Sequence, residues 1–187
     1  MLIKRVEWLF KELKARKSEM SLSSAPSIPI ITQCLTFLDG FINRKRDVFE
    51  ASVQTKRGEK SILMLTYYRN HLIHHFLNEA LIALALLGIS NIQNVTLGVA
   101  AGLLWEKVII LQDLLQGEFI IRKRLATYSD FLATLKFLDS RGFLSFKDET
   151  VSIDPKNENQ SYGQSFLCHL LLPLVESYWI TLTFFLS

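Results

Sequence analysis

Residues 67–83 read YYRNHLIHHFLNEALIA and place three histidines, a glutamate and two tyrosines inside one of the most apolar stretches of the chain. With 3.6 residues per helical turn, Tyr68, Leu72 and Phe76 would share one face of a helix. From about Ala80 onward apolar residues surround such a helix, so it must be buried on most sides. The stretch therefore predicts a central core helix.

The bounds of this helix follow from the residues at its two ends. Ser61 is a plausible N-cap, and Gly88 is expected to end the helix after about Leu87. Helical periodicity also predicts helices in the segments around the central one, and the last of these is expected to bend or restart at Pro173. These segments are residues 2–17, 31–39, 95–116, 128–141 and 164–187. The intervening stretch DPKNENQSYGQ (154–164) is expected to be a surface loop.

Two segments of the chain resemble each other. Residues 34–53 (CLTFLDGFINRKRDVFEASV) and 134–153 (TLKFLDSRGFLSFKDETVSI) share Leu-x-Phe-Leu-Asp, then Phe, then a charged turn and alternating residues. Each predicts a helix followed by a β-hairpin, the shape of a small winged-helix half. With one pair of segments, the similarity is suggestive of duplication and no more.

These elements predict a mainly α fold, a helical bundle with two small helix–β-hairpin modules. An N-terminal helical and helix–hairpin segment would span residues 1–60. A helical core would span 61–187, with the second module at 128–153 and the apolar helix at the C-terminal end. We expect the two parts to form one structural unit.

Composition limits the classes of function. The 187 residues are 49% hydrophobic and carry a net charge of +3, which is weak as a signal for nucleic acid. Basic runs such as Arg44-Lys45-Arg46 and Arg122-Lys123-Arg124 are usually solvated, although they could face anionic lipid headgroups. The two cysteines, Cys34 and Cys168, have no metal-type spacing and indicate a reducing compartment.

The apolar stretches predict no membrane-spanning helix, because each is interrupted by polar or charged residues. Residues 76–89 contain Asn78 and Glu79, and residues 165–186 contain Glu176. Such a charge at bilayer depth costs about 2.5–3.5 kcal/mol even on the mildest scale. The N-terminus lacks the apolar region and the cleavage site of a signal peptide. Attachment to a membrane surface remains open.

The histidines allow three interpretations. His71 and His75, four residues apart with Glu79 a further four on, could bind zinc, although no Glu-containing His-Glu-x-x-His motif and no cysteine supports this. A histidine could also act as a general base with unidentified partners. The third interpretation, hydrogen-bonded polar groups on a packed helix, is favoured, with Asn70 and His74 able to bond to each other. We therefore expect no metal ion and no cofactor.

The same stretch resembles the C-terminal region of the glycerol-3-phosphate and dihydroxyacetone-phosphate acyltransferase family. The family shows a Tyr-x-Asn-x-x-x-His-x-Phe element followed by Glu-Ala. Further on it shows a Leu-x-Asp…Glu-Phe segment and a Pro-hydrophobic-x-Glu-x-Tyr element, and this chain has all three in the same order. The matching residues, which the resemblance implies are packing or contact residues, are Tyr68, Arg69, Asn70, His74, Phe76, Glu79, Asp113, Glu118, Phe119, Pro173, Glu176 and Tyr178.

The chain departs from the family in its catalytic motifs. In the family, a His-x4-Asp motif in an upstream domain deprotonates the acceptor hydroxyl, and a Glu-Gly-Thr-Arg-type segment helps to hold phosphate. In this chain the residues five positions after the four histidines are Phe76, Glu79, Ala80 and Leu174, and no Glu-Gly dipeptide occurs. We therefore expect no catalytic residue in this chain and no activity of the chain alone. We also expect it to be a fragment, a split subunit or a truncated gene product.

The resemblance implies a non-catalytic helical region that docks against and stabilises a catalytic acyltransferase domain, in the same chain or another. The reaction would be acyl transfer from acyl-CoA to glycerol 3-phosphate in phospholipid and glycerolipid synthesis. The expected location is peripheral, on the cytoplasmic side of a membrane, with no nucleic acid partner. The alternative is a winged-helix-like adaptor that binds protein or nucleic acid, which a salt-dependent interaction with DNA would reveal.

Overall fold

The computed structural model describes residues 2–18, 28–45, 48–50, 58–93, 98–119 and 125–186. Most of these residues are helical, which confirms the mainly α fold. The helices are α1 (Leu2–Ala15), α2 (Ile28–Phe37), α3 (Lys60–Gln93), α4 (Ala101–Leu114), α5 (Tyr128–Ser140) and α6 (Glu158–Leu186). The strands are β1 (Asn43–Lys45), β2 (Val48–Glu50), β3 (Val99–Ala100), β4 (Ser145–Lys147) and β5 (Thr150–Ser152). The chain divides into two compact units, residues 1–75 and 76–187.

Both helix–hairpin modules are confirmed. In the first unit α2 leads to the antiparallel pair β1–β2, with Asn43 opposite Glu50. In the second unit α5 leads to the antiparallel pair β4–β5, with Ser145 opposite Ser152. Thr127 caps α5, since its Oγ1 accepts a hydrogen bond from the Asp130 N–H at 3.1 Å.

A buried ion pair lies at the C-terminal end of α1. Arg16 Nη1 lies 2.9 Å from Glu12 Oε2, and both side chains are almost fully buried. The helix ends at Ala15, and in the turn that follows the φ of +53° at Lys17 lets the Ser18 N–H reach the Leu13 carbonyl at 3.1 Å. Ser18 then contacts α3, because its Oγ lies 3.0 Å from His75 Nδ1. This bond ties the end of α1 to the central helix.

The second unit packs α6 against the buried half of α3 and against the second module. Gln164 Nε2 donates to the Ala83 carbonyl at 2.7 Å, and the rings of Phe76 and Phe166 meet edge to face at 5.2 Å. The α3 residues 80–86 are buried on all sides, as predicted. A third strand, β3, pairs with β5 in the same small sheet, which the sequence did not predict.

Gly88 was predicted to end α3, and this was wrong, because the helix continues to Gln93. A glycine inside a helix costs about 1 kcal/mol relative to alanine. Buried Leu86 and Ile89 on either side of Gly88 favour continuation of the helix through that position. At its other end the helix begins at Lys60, so Ser61, the predicted N-cap, lies inside the helix. The Ser61 hydroxyl donates a hydrogen bond to the Gly40 carbonyl at 3.5 Å.

Two further boundaries also differ from the prediction. The predicted loop 154–164 contains the first turns of α6, where Asn157 Oδ1 accepts from the Asn159 and Gln160 N–H groups at 3.1 and 3.3 Å. This is N-capping of the helix by Asn157, with Gln160 at the third helical position. Helix α6 then continues through Pro173 to Leu186. The predicted helix 95–116 is the shorter α4, and residues 94–97 lie outside the described part of the chain.

Among the described residues, two helices are long and apolar enough to cross a membrane by length and composition. The most apolar 18-residue stretch of α3 is 67% buried inside the protein, whereas the corresponding stretch of α6 is 11% buried. This differs from the expectation that polar interruptions leave no such helix. Length and composition are weak evidence for spanning, because a buried core helix passes the same test. The apolar stretch of α6, however, is largely exposed.

The two cysteines differ in environment, which gives a first testable prediction. Cys34 is exposed and Cys168 is buried, and burial raises the pKa of the Cys168 thiol from 9.0 to about 11. We expect a thiol reagent at pH 8 to label Cys34 quickly and Cys168 at least about 100-fold more slowly, because the thiolate is the reactive form. Mass spectrometry of the labelled peptides measures both rates, and equal rates would contradict the burial of Cys168.

The same shift makes stability depend on pH with a definite sign. The folded-state pKa of Cys168 lies above its ordinary value, so its contribution is complete below about pH 9 and is lost as pH rises towards 11. The variant Cys168→Ala should therefore lose less unfolding free energy than the parent protein over this interval. Urea unfolding of both proteins at pH 8 and pH 11 measures the difference.

Candidate functional site

The residues that carry the sequence motifs lie mainly on α3, at the end of α4 and on α6. On the first half of α3, Tyr68, Asn70 and His74 are exposed and Arg69 is half-buried. Arg69 Nη2 donates to Asn70 Oδ1 at 3.2 Å. On the second half, Phe76 and Glu79 are buried. The first motif therefore combines an outward-facing part with a part that belongs to the core.

The histidines of α3 have neighbours suited to packing and hydrogen bonding. The ring of His71 meets Tyr67 at 4.6 Å in an edge-to-face contact, and the rings of His74 and His75 lie 3.8 Å apart. His75 contacts the Ser18 hydroxyl. Within the described ranges, no three His, Cys, Asp or Glu side chains come together as candidate metal ligands. The contacts of His71 and His75 are therefore ring packing and hydrogen bonding, as in the packing interpretation.

The second and third motifs meet in the structure. The Tyr178 hydroxyl on α6 donates a hydrogen bond to Glu118 Oε1, just beyond the end of α4. This bond to a carboxylate raises the pKa of Tyr178 above its ordinary value of 10.0. Asp113, Pro173 and Glu176 are exposed, and Phe119 is half-buried. Sixty residues separate the bonded pair, so helical spacing could not reveal it.

A stripe of exposed side chains runs along the first half of α3, and sequence reasoning missed it. We call it the α3 stripe, and its members are Leu63, Tyr67, Asn70, His71 and His74. Their spacing of three or four residues puts them on one face of the helix. Leu63 is 70% exposed and Tyr67 57% exposed, so this face mixes apolar and polar groups. The signal in the sequence was the periodic recurrence of Leu63 and Tyr67 ahead of the histidines.

Comparison with known protein families shows which family the chain belongs to. The model of the glycerol-3-phosphate acyltransferase C-terminal region matches residues 1–187, the whole chain. The chain belongs to this family. No protein with a curated description matches it at a significant level. The resemblance drawn from the three motifs is thereby confirmed, and the chain is related to acyltransferases of glycerolipid synthesis.

In this member of the glycerol-3-phosphate acyltransferase C-terminal region family, the first motif has both buried and exposed members. The buried members, Phe76 and Glu79, pack the core of the second unit. The exposed members of the first motif, Tyr68, Asn70 and His74, lie on or beside the α3 stripe. This outward-facing surface carries aromatic rings and groups that can donate or accept hydrogen bonds.

Proposed function

We propose that this chain docks against and stabilises the catalytic domain of a glycerol-3-phosphate 1-O-acyltransferase, in the same chain or a separate one. That domain, which in the family precedes the C-terminal region, transfers the acyl group from acyl-CoA in phospholipid and glycerolipid synthesis. The chain itself is non-catalytic. It works peripherally at a membrane surface, on the cytoplasmic side. The site residues of the three motifs serve packing and contact.

The observation that carries this proposal is the α3 stripe within a chain that matches the family along its whole length. Leu63 and Tyr67 leave most of their apolar surface in solvent, and His71 and His74 add groups that donate or accept hydrogen bonds. Aromatic residues surrounded by polar groups are typical of protein interfaces. The sequence resemblance implies an upstream catalytic domain, and we take that domain as the partner of the stripe.

The sequence supports a role without turnover. None of the four histidines is followed five positions later by aspartate, so the base that deprotonates the acceptor hydroxyl is not supplied by a His-x4-Asp motif. The purified chain, incubated with acyl-CoA and glycerol 3-phosphate, is expected to give no product above the blank. Product formation that depends on the chain would overturn the non-catalytic assignment.

Docking predicts a specific loss of binding. The double variant Leu63→Glu and Tyr67→Ala should weaken binding to a purified acyltransferase domain of the family at least about tenfold, because it removes an aliphatic and a ring contact and adds a charge at their centre. Both positions are exposed, so the fold of the chain should remain intact. Isothermal titration calorimetry measures the affinity, and the melting temperature of the acyltransferase domain reports its stabilisation.

A matched control distinguishes the α3 stripe from general surface apolarity. Ile110 on α4 is 58% exposed, comparable with Tyr67, and lies outside the stripe. Ile110→Glu should bind the acyltransferase domain as tightly as the parent chain. If the stripe variant also binds unchanged, or if Ile110→Glu alone abolishes binding, the stripe is not the docking surface.

A further inference from the structure

The second half of α6 leaves its apolar side chains uncovered. We call residues 177–186 the α6 end. The earlier turns of the helix pack in the core of the second unit, where Leu167, Leu170 and Leu171 are buried. The large apolar side chains of the α6 end are between 56% and 86% exposed. They are Trp179, Ile180, Leu182, Phe184, Phe185 and Leu186.

These side chains surround the helix rather than forming one stripe. At 100° per residue, Trp179, Ile180 and Leu182 already point in three directions, and Phe184 and Phe185 fill the remaining arc. A helix that is apolar on all sides belongs in a protein core or in a membrane. Whatever covers the α6 end must therefore enclose it.

The area argues against pairing of two copies through this helix. The exposed apolar surface of the α6 end is roughly 800 Å², and a facing helix would cover about a third of it, well below the roughly 800 Å² per partner of a stable interface. Such a dimer would leave most of Trp179 or Phe185 in water. Surroundings that contact the helix on all sides remove all of this apolar surface from water.

The polar side chains of the α6 end are suited to hydrocarbon. The Ser177 hydroxyl donates to the Leu174 carbonyl at 2.7 Å, and the Thr181 hydroxyl donates to the Ser177 carbonyl at 2.8 Å. Thr183 donates to the carbonyls of Ile180 and Trp179 at 2.9 and 3.0 Å. Residues 177–186 carry no charge. The serine and threonine hydroxyls are thus satisfied within the helix, which lipid requires and water does not.

We propose that the α6 end inserts into the hydrocarbon of a lipid bilayer. The inference rests on the proposed role at a membrane surface and names the element that makes the contact. Residues 177–186 rise about 15 Å along the helix axis, so side chains at the two ends of this segment would lie at clearly different depths below the headgroups. Tyr178 and Trp179 then lie at headgroup level, where such rings are enriched, and Phe185 lies deeper. Glu176 stays in the aqueous layer.

Fluorescence quenching by brominated lipids measures this depth. The chain has three tryptophans, so the variant Trp8→Phe with Trp105→Phe leaves Trp179 as its only fluorescent probe. A second variant adds Trp179→Phe and Phe185→Trp, which moves the single probe to position 185. Vesicles of phosphatidylcholine and phosphatidylglycerol carry bromine near the headgroup or near the acyl terminus. We expect shallow bromine to quench Trp179 more strongly, and deep bromine to quench the tryptophan at 185 more strongly. Equal quenching at both depths would overturn insertion.

Charged variants test the same inference without a probe. Phe184→Glu with Phe185→Glu should lower partitioning into these vesicles at least about tenfold, because two charges would enter the hydrocarbon. Asn159→Glu with Ser161→Glu adds the same charge to exposed positions at the start of α6 and should leave partitioning unchanged. Circular dichroism checks that both variants remain folded. Unchanged partitioning of the Phe184/Phe185 variant would refute the proposal.

Two further measurements test whether a protein, rather than lipid, contacts the α6 end. Sedimentation velocity without lipid should show a monomer, and acrylamide should still quench Trp179 after the acyltransferase domain is added. Self-association that the Phe184/Phe185 variant abolishes, or shielding of Trp179 by the acyltransferase domain alone, would overturn the lipid assignment. The Leu63/Tyr67 variant should bind vesicles normally, so loss of docking and loss of insertion are separate results.

Discussion

Replacing Phe131 with alanine is expected to lower the free energy of unfolding by about 3–5 kcal/mol, because it removes a buried ring and leaves a cavity in its place. Phe131 is completely buried on α5. Its ring lies 5.3 Å from that of Trp105 on α4 and stacks with Tyr128 at 5.7 Å. Urea unfolding followed by circular dichroism measures the change. Much of the roughly 5–15 kcal/mol stability of a typical domain would be lost.

Two companion variants make the Phe131 result specific. Phe131→Leu keeps part of the volume and should cost clearly less than the alanine variant. Phe37→Ala removes the same ring from α2, where the side chain is 72% exposed, and should change the unfolding free energy by less than about 0.5 kcal/mol. Similar losses for Phe131→Ala and Phe37→Ala would show that the second module does not pack as described.

The hairpins were predictable because their signals are local. A charged two-residue turn between alternating residues fixes β4 and β5 within a few positions. The turn itself is unusual, since Asp148 and Glu149 both have positive φ without glycine, at +48° and +58°. The Glu149 carboxylate accepts a hydrogen bond from the Tyr128 hydroxyl at 2.8 Å, which raises the pKa of Tyr128. That contact spans 21 residues and has no local signature.

The end of α3 and the start of α6 were mispredicted for opposite reasons. At Gly88 a local stop signal was overridden by buried neighbours, since tertiary packing outweighs a helix-propensity cost of about 1 kcal/mol. At Asn157 a local start signal, Asn followed three residues later by Gln, was present and overlooked among polar residues. Gln160 is also buried and accepts from the Asp154 N–H at 2.7 Å.

The family motifs could be recognised in the sequence, but the arrangement of their residues in the fold could not be predicted. The three motifs name Tyr68, Glu118 and Tyr178 from sequence order alone. The bond between Tyr178 and Glu118 joins residues far apart in the sequence, and the exposure of the α3 stripe depends on which face of α3 the fold buries. Both are products of long-range packing. A single sequence therefore names the residues of the family motifs, and the fold shows which of them face outward.

Gly163 occupies a position in α6 where no side chain fits. A Cβ there would lie 2.8 Å from Cδ1 and 2.9 Å from Cγ of Phe143, and Phe143 is buried. Gly163→Ala should lower the free energy of unfolding by about 1–3 kcal/mol, because overpacking outweighs the gain in helix propensity of about 1 kcal/mol. Chemical unfolding at neutral pH measures the change.

The same substitution elsewhere should have the opposite sign, because helix propensity acts alone where space is open. Gly88 lies inside α3, and a Cβ there would meet nothing within 4 Å, so Gly88→Ala should raise the free energy of unfolding by about 0.5–1 kcal/mol. Adding Phe143→Leu to Gly163→Ala should recover part of the loss, since the ring that causes the clash is gone. A Gly163→Ala variant as stable as Gly88→Ala would place Phe143 elsewhere and separate α6 from the second module.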